Sequence, residues 1–256
     1  MATHKLINFF TEQEVAEILN IVDSLEDKWT KRIITDSVNF FTLGQESSID
    51  CVNYDDNTIS LTHNSNKMLK ENFHFMYTSI ISKFSELYGK CELATDVPIP
   101  GFFIYTEHKG VQSRNNGFSK IHKDGRFEHL DYYWNTFKKV DHDNVIGITI
   151  ALELPKSGSG MFIWDQPDQG FYSNSEWANS VKYSDFNLNP ESANHLNSNI
   201  VNKIPNVVEY SVGKAIVQDG PQFHAVAHGT NLSIKDRRVT IQIFAKKCDG
   251  IWRLYF

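Results

Sequence analysis

The stretch Gly117–Asp124, with the sequence GFSKIHKD, places a histidine and an aspartate two residues apart where a short β-strand is expected to end. Side chains two residues apart on an extended strand point to the same side. A second histidine, His224, follows far downstream in Phe223–Val226, with the sequence FHAV. We therefore expect His122, Asp124 and His224 to be metal ligands and to form the catalytic centre.

Two imidazoles and one carboxylate hold a metal ion and leave part of its coordination sphere open. This ligand set is typical of non-haem Fe(II) oxygenases, in which the open positions receive a co-substrate and dioxygen. The sequence therefore predicts a metal-dependent oxygenase centre.

Other histidines compete for these roles. His129 and Asp131 form a second His-x-Asp pair, but the residues before it, 125–128, read as a loop rather than a strand. His228 competes with His224, although the Gly229 that follows it is more typical of a loop. We favour His122, Asp124 and His224.

Composition excludes some classes of function. The chain has 256 residues, a net charge of −6 and an isoelectric point near 5.9, which argues against nucleic-acid binding through a basic surface. Its first residues, MATHKLINFF, hold no apolar signal segment, and no run reaches the length of a membrane span. Three widely spaced cysteines, Cys51, Cys91 and Cys248, are typical of reduced thiols, so we expect a cytoplasmic protein.

Two helices are predicted before residue 100 and mostly strands after it. Leu6–Phe10 reads as a strand, and Thr11 with Glu14 forms a capping box at the start of a helix. A second helix is predicted from about Ser65 to Tyr88, with Gly89 as its stop. Many short strands separated by turn residues then favour a β-sandwich or barrel.

The order of several motifs resembles the Fe(II)/2-oxoglutarate-dependent dioxygenases, especially their prolyl-hydroxylase-like branch. The resemblance is closer over residues 100–245 than in the N-terminal part. The motifs that carry it are Asn8–Glu14, Tyr105, His122-Lys123-Asp124, Ser157–Trp164, Val212–Val217, His224-Ala225-Val226 and Arg238–Ile241.

The resemblance implies a fold, an activity and cofactors. The fold would be mainly β, a double-stranded β-helix (jelly-roll or cupin-like) core with N-terminal α-helices packed on the outside. We expect one domain, 1–256, in which 1–95 is helical support and 96–256 is the core, with an insertion at about 165–206. The enzyme would use Fe(II), dioxygen and 2-oxoglutarate as co-substrate to hydroxylate an unactivated C–H bond. Because related halogenases have a small residue at the position of Asp124, the aspartate favours hydroxylation or desaturation.

The resemblance also implies which residues bind 2-oxoglutarate. Arg238 would pair with the far carboxylate through its planar guanidinium, and Thr240 and Tyr105 would lie beside it. Arg237 is the competing cation. Because neighbouring strand residues face opposite sides, only one of the two can enter the barrel. Periodicity alone would turn the apolar set inward and does not decide the matter, whereas the motif favours Arg238.

The substrate is expected to be a small molecule, such as a free amino acid or a natural-product intermediate, rather than a nucleic acid or a membrane. Arg126, Trp134 and Trp164 are candidate substrate contacts. The polar segment 165–206 is either a lid over the site or a peripheral excursion. Alternative functions are a cupin-like metal-dependent isomerase or lyase that does not use 2-oxoglutarate, and a non-catalytic binding module.

Overall fold

The computed structural model describes residues 4–32, 38–51, 55–108, 122–123, 130–156, 160–164, 206–219, 223–227 and 235–256. The strands are β1 His4–Asn8, β2 Thr30–Arg32, β3 Val38–Leu43, β4 Cys91–Leu93, β5 Gly101–His108, β6 His122–Lys123, β7 Val140–Glu153, β8 Gly160–Trp164, β9 Asn206–Glu209, β10 Lys214–Asp219, β11 Phe223–Ala227, β12 Arg238–Cys248 and β13 Ile251–Tyr255. The α-helices are α1 Glu12–Ser24, α2 Ser47–Asp50, α3 Asp56–Asn72, α4 His74–Tyr88 and α5 Asp131–Trp134.

The strands form two sheets. The large sheet has the order β1-β10-β7-β12-β5-β3-β2, with β13 beside β12 and β4 beside β13. The small sheet has the order β6-β11-β8-β9. From β5 to β12 the chain crosses repeatedly between the sheets, so β5, β7, β10 and β12 lie in the large one and β6, β8, β9 and β11 in the small one. This is the predicted double-stranded β-helix.

The helices cover the outer face of the large sheet. On β12, Val239, Ile241 and Ile243 are buried in the same apolar cluster as residues of α1 and α4, such as Ile18 and Ile80. Each such side chain contributes roughly 1.5–3 kcal/mol by leaving water. The main hydrophobic core therefore lies outside the barrel, between sheet and helices, and the predicted position of the N-terminal helices is confirmed.

The first predicted helix is confirmed and the second is corrected. Helix α1 begins with the expected capping box between Thr11 and Glu14. The single helix expected from about Ser65 to Tyr88 is instead two helices, because Phe73 leaves the helical conformation with φ −117° and ψ 29°. Phe73 is fully buried against Phe102, with ring centroids 4.7 Å apart.

Helix α3 starts well before Ser65, and its polar buried face explains why the sequence pattern missed this part. The Asp55 side chain accepts a hydrogen bond from the Thr58 backbone N–H and so caps the helix. The buried positions that follow include Thr58, Thr62 and Asn66, which an apolar stripe does not mark. A helix whose buried face is polar gives little periodic signal.

Gly213 joins the N-terminal segment to the barrel. Its carbonyl accepts hydrogen bonds from the backbone N–H groups of Phe9 and Phe10, and its own N–H donates to Ala151. Its φ is +76°, and a Cβ atom there would lie 2.5 Å from the carbonyl oxygen of Phe10. A side chain at this position would therefore meet both backbone strain and a clash.

We expect Gly213→Ala to destabilise the protein by about 2–4 kcal/mol, since it combines left-handed strain with the clash. Gly250 is a matched control because its φ is +83° and nothing lies within 4 Å of the position that a Cβ atom would take there. Gly250→Ala should lose only about 1–2 kcal/mol. Urea unfolding measures both, and equal losses would contradict the role given to the Gly213 contact.

Two other expectations concern the membrane and the thiols. Within the residues described, no helix is both long and apolar enough to cross a membrane. Cys51, Cys91 and Cys248 are all free and buried. Burial raises the pKa of the Cys51 thiol to about 12, which keeps it protonated and unreactive.

Candidate active site

The small sheet places two of the predicted metal ligands side by side in the backbone. In the antiparallel pair of β11 and β6, His224 lies directly opposite His122. On its other side His224 lies opposite Ile163 of β8. Residues directly opposite each other in such a pair have Cβ atoms about 5 Å apart. The His224 side chain is buried, with 5% of its surface exposed.

Several predicted residues fall outside the described part of the chain. These are Asp124 and Arg126, the competing histidines His129 and His228, and positions 165–205 of the proposed lid. For His122 and Trp164 the structure describes the backbone alone. Among the residues that are described, no group of three potential metal ligands comes together. The ligand set of His122, Asp124 and His224 stays a prediction.

Arg238 lies in the barrel interior. It is the first residue of β12 and has 2% of its surface exposed. Within the described residues, its Nε and Nη1 atoms have no hydrogen-bond partner. Buried cationic donors that are left unpaired are unfavourable unless a ligand supplies acceptors for them. The position therefore has the character of an anion site.

Arg237 has a different environment. Its Nε donates to a carboxylate oxygen of Glu153 at 2.7 Å, and its Nη1 donates to Asp23 at 2.6 Å. Asp23 is on α1, so Arg237 ties the helix layer to the outer side of the sheet. Because its guanidinium is already paired with two carboxylates, Arg237 is a poorer candidate for the anion site than Arg238.

Two tyrosine rings contact the Arg238 guanidinium. Its Cζ lies 5.3 Å from the ring centroid of Tyr105 and 5.0 Å from that of Tyr210. Tyr105 is directly opposite Arg238 on β5, whereas Tyr210 follows β9 of the small sheet. Burial raises the pKa of Tyr105 to about 12, although the charge of Arg238 acts in the opposite direction. The phenol is therefore neutral at physiological pH and able to donate a hydrogen bond.

Other polar side chains share this interior. Thr240 is fully buried, and its hydroxyl has no hydrogen-bond partner among the described residues. On β7, the hydroxyl of Thr149 donates to the side-chain carbonyl of Gln242 at 2.8 Å. Gln218 of β10 is 3% exposed, and its amide nitrogen also lacks a partner in the described residues. Unpaired buried donors thus lie on the inward side of the large sheet, and such donors call for acceptor oxygens.

The order of the strands and their connections places Arg238 and His224 along the barrel interior. Tyr210, which contacts Arg238, lies just before β10, and Gln218 lies near the far end of that strand. Only three residues connect β10 to β11, so His224 lies near the same end as Gln218. The interior therefore runs from Arg238 at one end towards His224 near the other.

Trp134 is not part of the Arg238 cluster. It is 1% exposed and packs on Tyr255 with centroids 5.1 Å apart, while Lys246 Nζ lies 4.9 Å from its ring centroid. Lys246 is on the same strand as Arg238 but eight residues further on. If Trp134 contacts the substrate, it does so at the end of the barrel away from Arg238.

The sequence analysis missed Tyr210 and Gln218. A single aromatic residue after a strand has no motif, so Tyr210 gave no signal. Gln218 lies on the same side of β10 as Lys214 and Ile216, whereas Ala215 and Val217 pack outward, so the apolar pattern of this strand gave no signal for Gln218.

A similar solved structure supports the fold. A structure of an N-substituted L-amino acid dioxygenase from Burkholderia ambifaria AMMD in complex with alpha-KG superposes with a TM-score of 0.52 and 12% identity, covering 99% of this chain and 86% of that one. The chain shares the fold of this dioxygenase. A Pseudomonas putida prolyl-4-hydroxylase has a TM-score of 0.43 and 9% identity over 94% of this chain and 91% of that one. No family model and no curated protein matches the sequence.

Proposed function

We propose that the protein is an Fe(II)- and 2-oxoglutarate-dependent dioxygenase that hydroxylates an unactivated C–H bond of a small molecule. The observation that carries the proposal is Arg238, a buried guanidinium with two unpaired nitrogen atoms inside a double-stranded β-helix. In the same barrel His122 and His224 are directly opposite in the small sheet.

The residues present fit 2-oxoglutarate. Its far carboxylate supplies acceptor oxygens for the unpaired donors of Arg238 and Thr240. A charge-assisted pair of this kind is stronger than a neutral hydrogen bond and removes the penalty of leaving a buried cation unpaired. The neutral phenol of Tyr105, opposite Arg238 on β5, adds a further donor.

His122, Asp124 and His224 fit Fe(II), because two imidazoles and a carboxylate leave room for a chelating co-substrate and for dioxygen. When bound, the iron and 2-oxoglutarate supply oxidising power, coupling loss of carbon dioxide from the co-substrate to transfer of one oxygen atom into the substrate. The protein holds the co-substrate through Arg238. Its apolar interior residues, including Met161, Ile163 and Ile216, exclude water from the reaction.

The proposed substrate is a small molecule. Free amino acids and natural-product intermediates are the first classes to test. The 2-oxoglutarate-bound structural neighbour is named as a dioxygenase of N-substituted L-amino acids. Such amino acids are therefore the first panel for this protein.

The test is an uncoupled turnover assay. The protein is incubated with Fe(II), ascorbate and 2-oxoglutarate, and succinate is measured by mass spectrometry, with metal-free protein as the control. We expect iron-dependent succinate, and a substrate panel should then show products heavier by one oxygen atom. If neither succinate nor iron-dependent binding of 2-oxoglutarate is found, a metal-dependent isomerase or lyase, or a binding module, becomes the better explanation.

A further inference from the structure

Tyr210, one residue after β9 of the small sheet, contacts the proposed co-substrate anchor, as Tyr105 does from β5 of the large sheet. Its ring is 7% exposed, and its centroid lies 5.0 Å from the Cζ of Arg238. Tyr105, at 5.3 Å, is on the neighbouring strand of the large sheet. The guanidinium is therefore in contact with two aromatic rings, one on β5 and one in the connection between β9 and β10.

These contacts matter because hydrogen bonds leave much of the guanidinium unrestrained. Nε and Nη1 of Arg238 have no partner in the described part of the chain. An arginine side chain has about 2 kcal/mol of rotamer entropy to lose when a ligand fixes it. A cation held over buried aromatic rings is stabilised by the ring quadrupoles and keeps its orientation before the ligand arrives. Such preorganisation improves affinity.

We propose that Tyr210 is a positioning residue for the co-substrate: its ring holds the Arg238 guanidinium in place for the far carboxylate of 2-oxoglutarate. This rests on the proposed dioxygenase function. Tyr210 acts through its ring, so phenylalanine replaces it and leucine does not.

The test measures 2-oxoglutarate binding to the Mn(II)-loaded full-length protein by isothermal titration calorimetry. We expect Tyr210→Leu to weaken 2-oxoglutarate binding roughly tenfold, as the loss of a desolvated cation–π contact implies. Tyr210→Phe should stay within about twofold of the wild type, because the ring remains. Affinity for Mn(II) alone, measured by electron paramagnetic resonance, should be the same in all three proteins.

Tyr77 provides a matched control. It is 4% exposed, but it lies in α4 in the core outside the barrel, and its hydroxyl donates to the Pro100 carbonyl. Tyr77→Leu should lower the melting temperature and leave 2-oxoglutarate affinity unchanged.

Four outcomes would overturn the proposal. Unchanged 2-oxoglutarate affinity in Tyr210→Leu would remove the role of the ring and leave the dioxygenase function standing. Equal losses of Mn(II) and 2-oxoglutarate affinity, or a loss in Tyr210→Phe as large as in Tyr210→Leu, would mean that Tyr210 is not a positioning ring. A wild-type protein that binds no 2-oxoglutarate with the metal present would refute the proposed function itself, and this inference with it.

Discussion

Arg238→Leu is expected to weaken 2-oxoglutarate binding strongly without destabilising the ligand-free protein. Truncating one partner of a buried, hydrogen-bonded charge pair typically removes 2–5 kcal/mol of binding energy, so the dissociation constant should rise roughly a hundredfold or more. Turnover should fall with it, since the co-substrate carboxylate would lose its cation.

The stability of the ligand-free variant is an independent readout. Arg238 is 2% exposed, and two of its nitrogen atoms have no partner in the part of the chain that the structure describes. Leucine removes this buried charge and keeps most of the apolar stem. We therefore expect the melting temperature of the ligand-free protein to stay the same or rise, as is common when a functional residue with unpaired polar atoms is replaced.

Arg237→Leu is the matched control. It removes the ion pairs with Asp23 and Glu153, in which Arg237 is 22% exposed. Partly exposed pairs contribute about 1 kcal/mol or less, so a small loss of stability is expected. Binding of 2-oxoglutarate should not change. The reverse result, with Arg237→Leu losing the co-substrate and Arg238→Leu keeping it, would move the anchor to Arg237.

His224→Ala is expected to lose metal binding and, with it, all iron-dependent succinate formation. Removing a residue that only supports a metal ligand lowers metal affinity 10–100-fold, so removing a ligand should exceed roughly a hundredfold. Binding of Co(II), followed by its visible absorption, measures the effect directly. The backbone pairing of residue 224 with residue 122 does not depend on the imidazole, so the fold should persist.

Two further histidines test the assignment. His63 is half-exposed and lies 3.1 Å from Asp96 on the surface, so His63→Ala should keep full metal affinity. His228 is the competing candidate from the sequence, and His228→Ala should likewise retain the metal. A protein that tolerates His224→Ala but loses metal with His228→Ala would move the distal ligand to His228.

The choice between Arg237 and Arg238 shows what periodicity could and could not predict. Alternation predicted correctly that the two point to opposite sides, but the usual expectation of apolar residues inside the barrel favoured Arg237. The structure reverses that expectation because helices cover the outer face, where Val239 and Ile241 are buried. The inward phase carries Arg238, Thr240 and Gln242 instead. Only the motif resemblance selected Arg238.

Other features depend on contacts that no local pattern encodes. The break at Phe73 follows its burial against Phe102, which is distant in sequence. Tyr210 reaches Arg238 because the two sheets close on each other. By contrast, the change to mostly strands after about residue 100 could be predicted, since short apolar segments alternate there with turn residues.

The helix layer outside the large sheet affects which amino-acid substitutions this protein can tolerate during evolution. The main hydrophobic core packs on one side of β12, whereas the opposite side carries the polar groups proposed to bind ligands. A mutational library at Gln218, whose amide nitrogen has no partner among the described residues, should therefore yield mostly well-folded variants with altered chemical preferences. Substitutions at such inward positions could therefore change substrate specificity while the fold is kept.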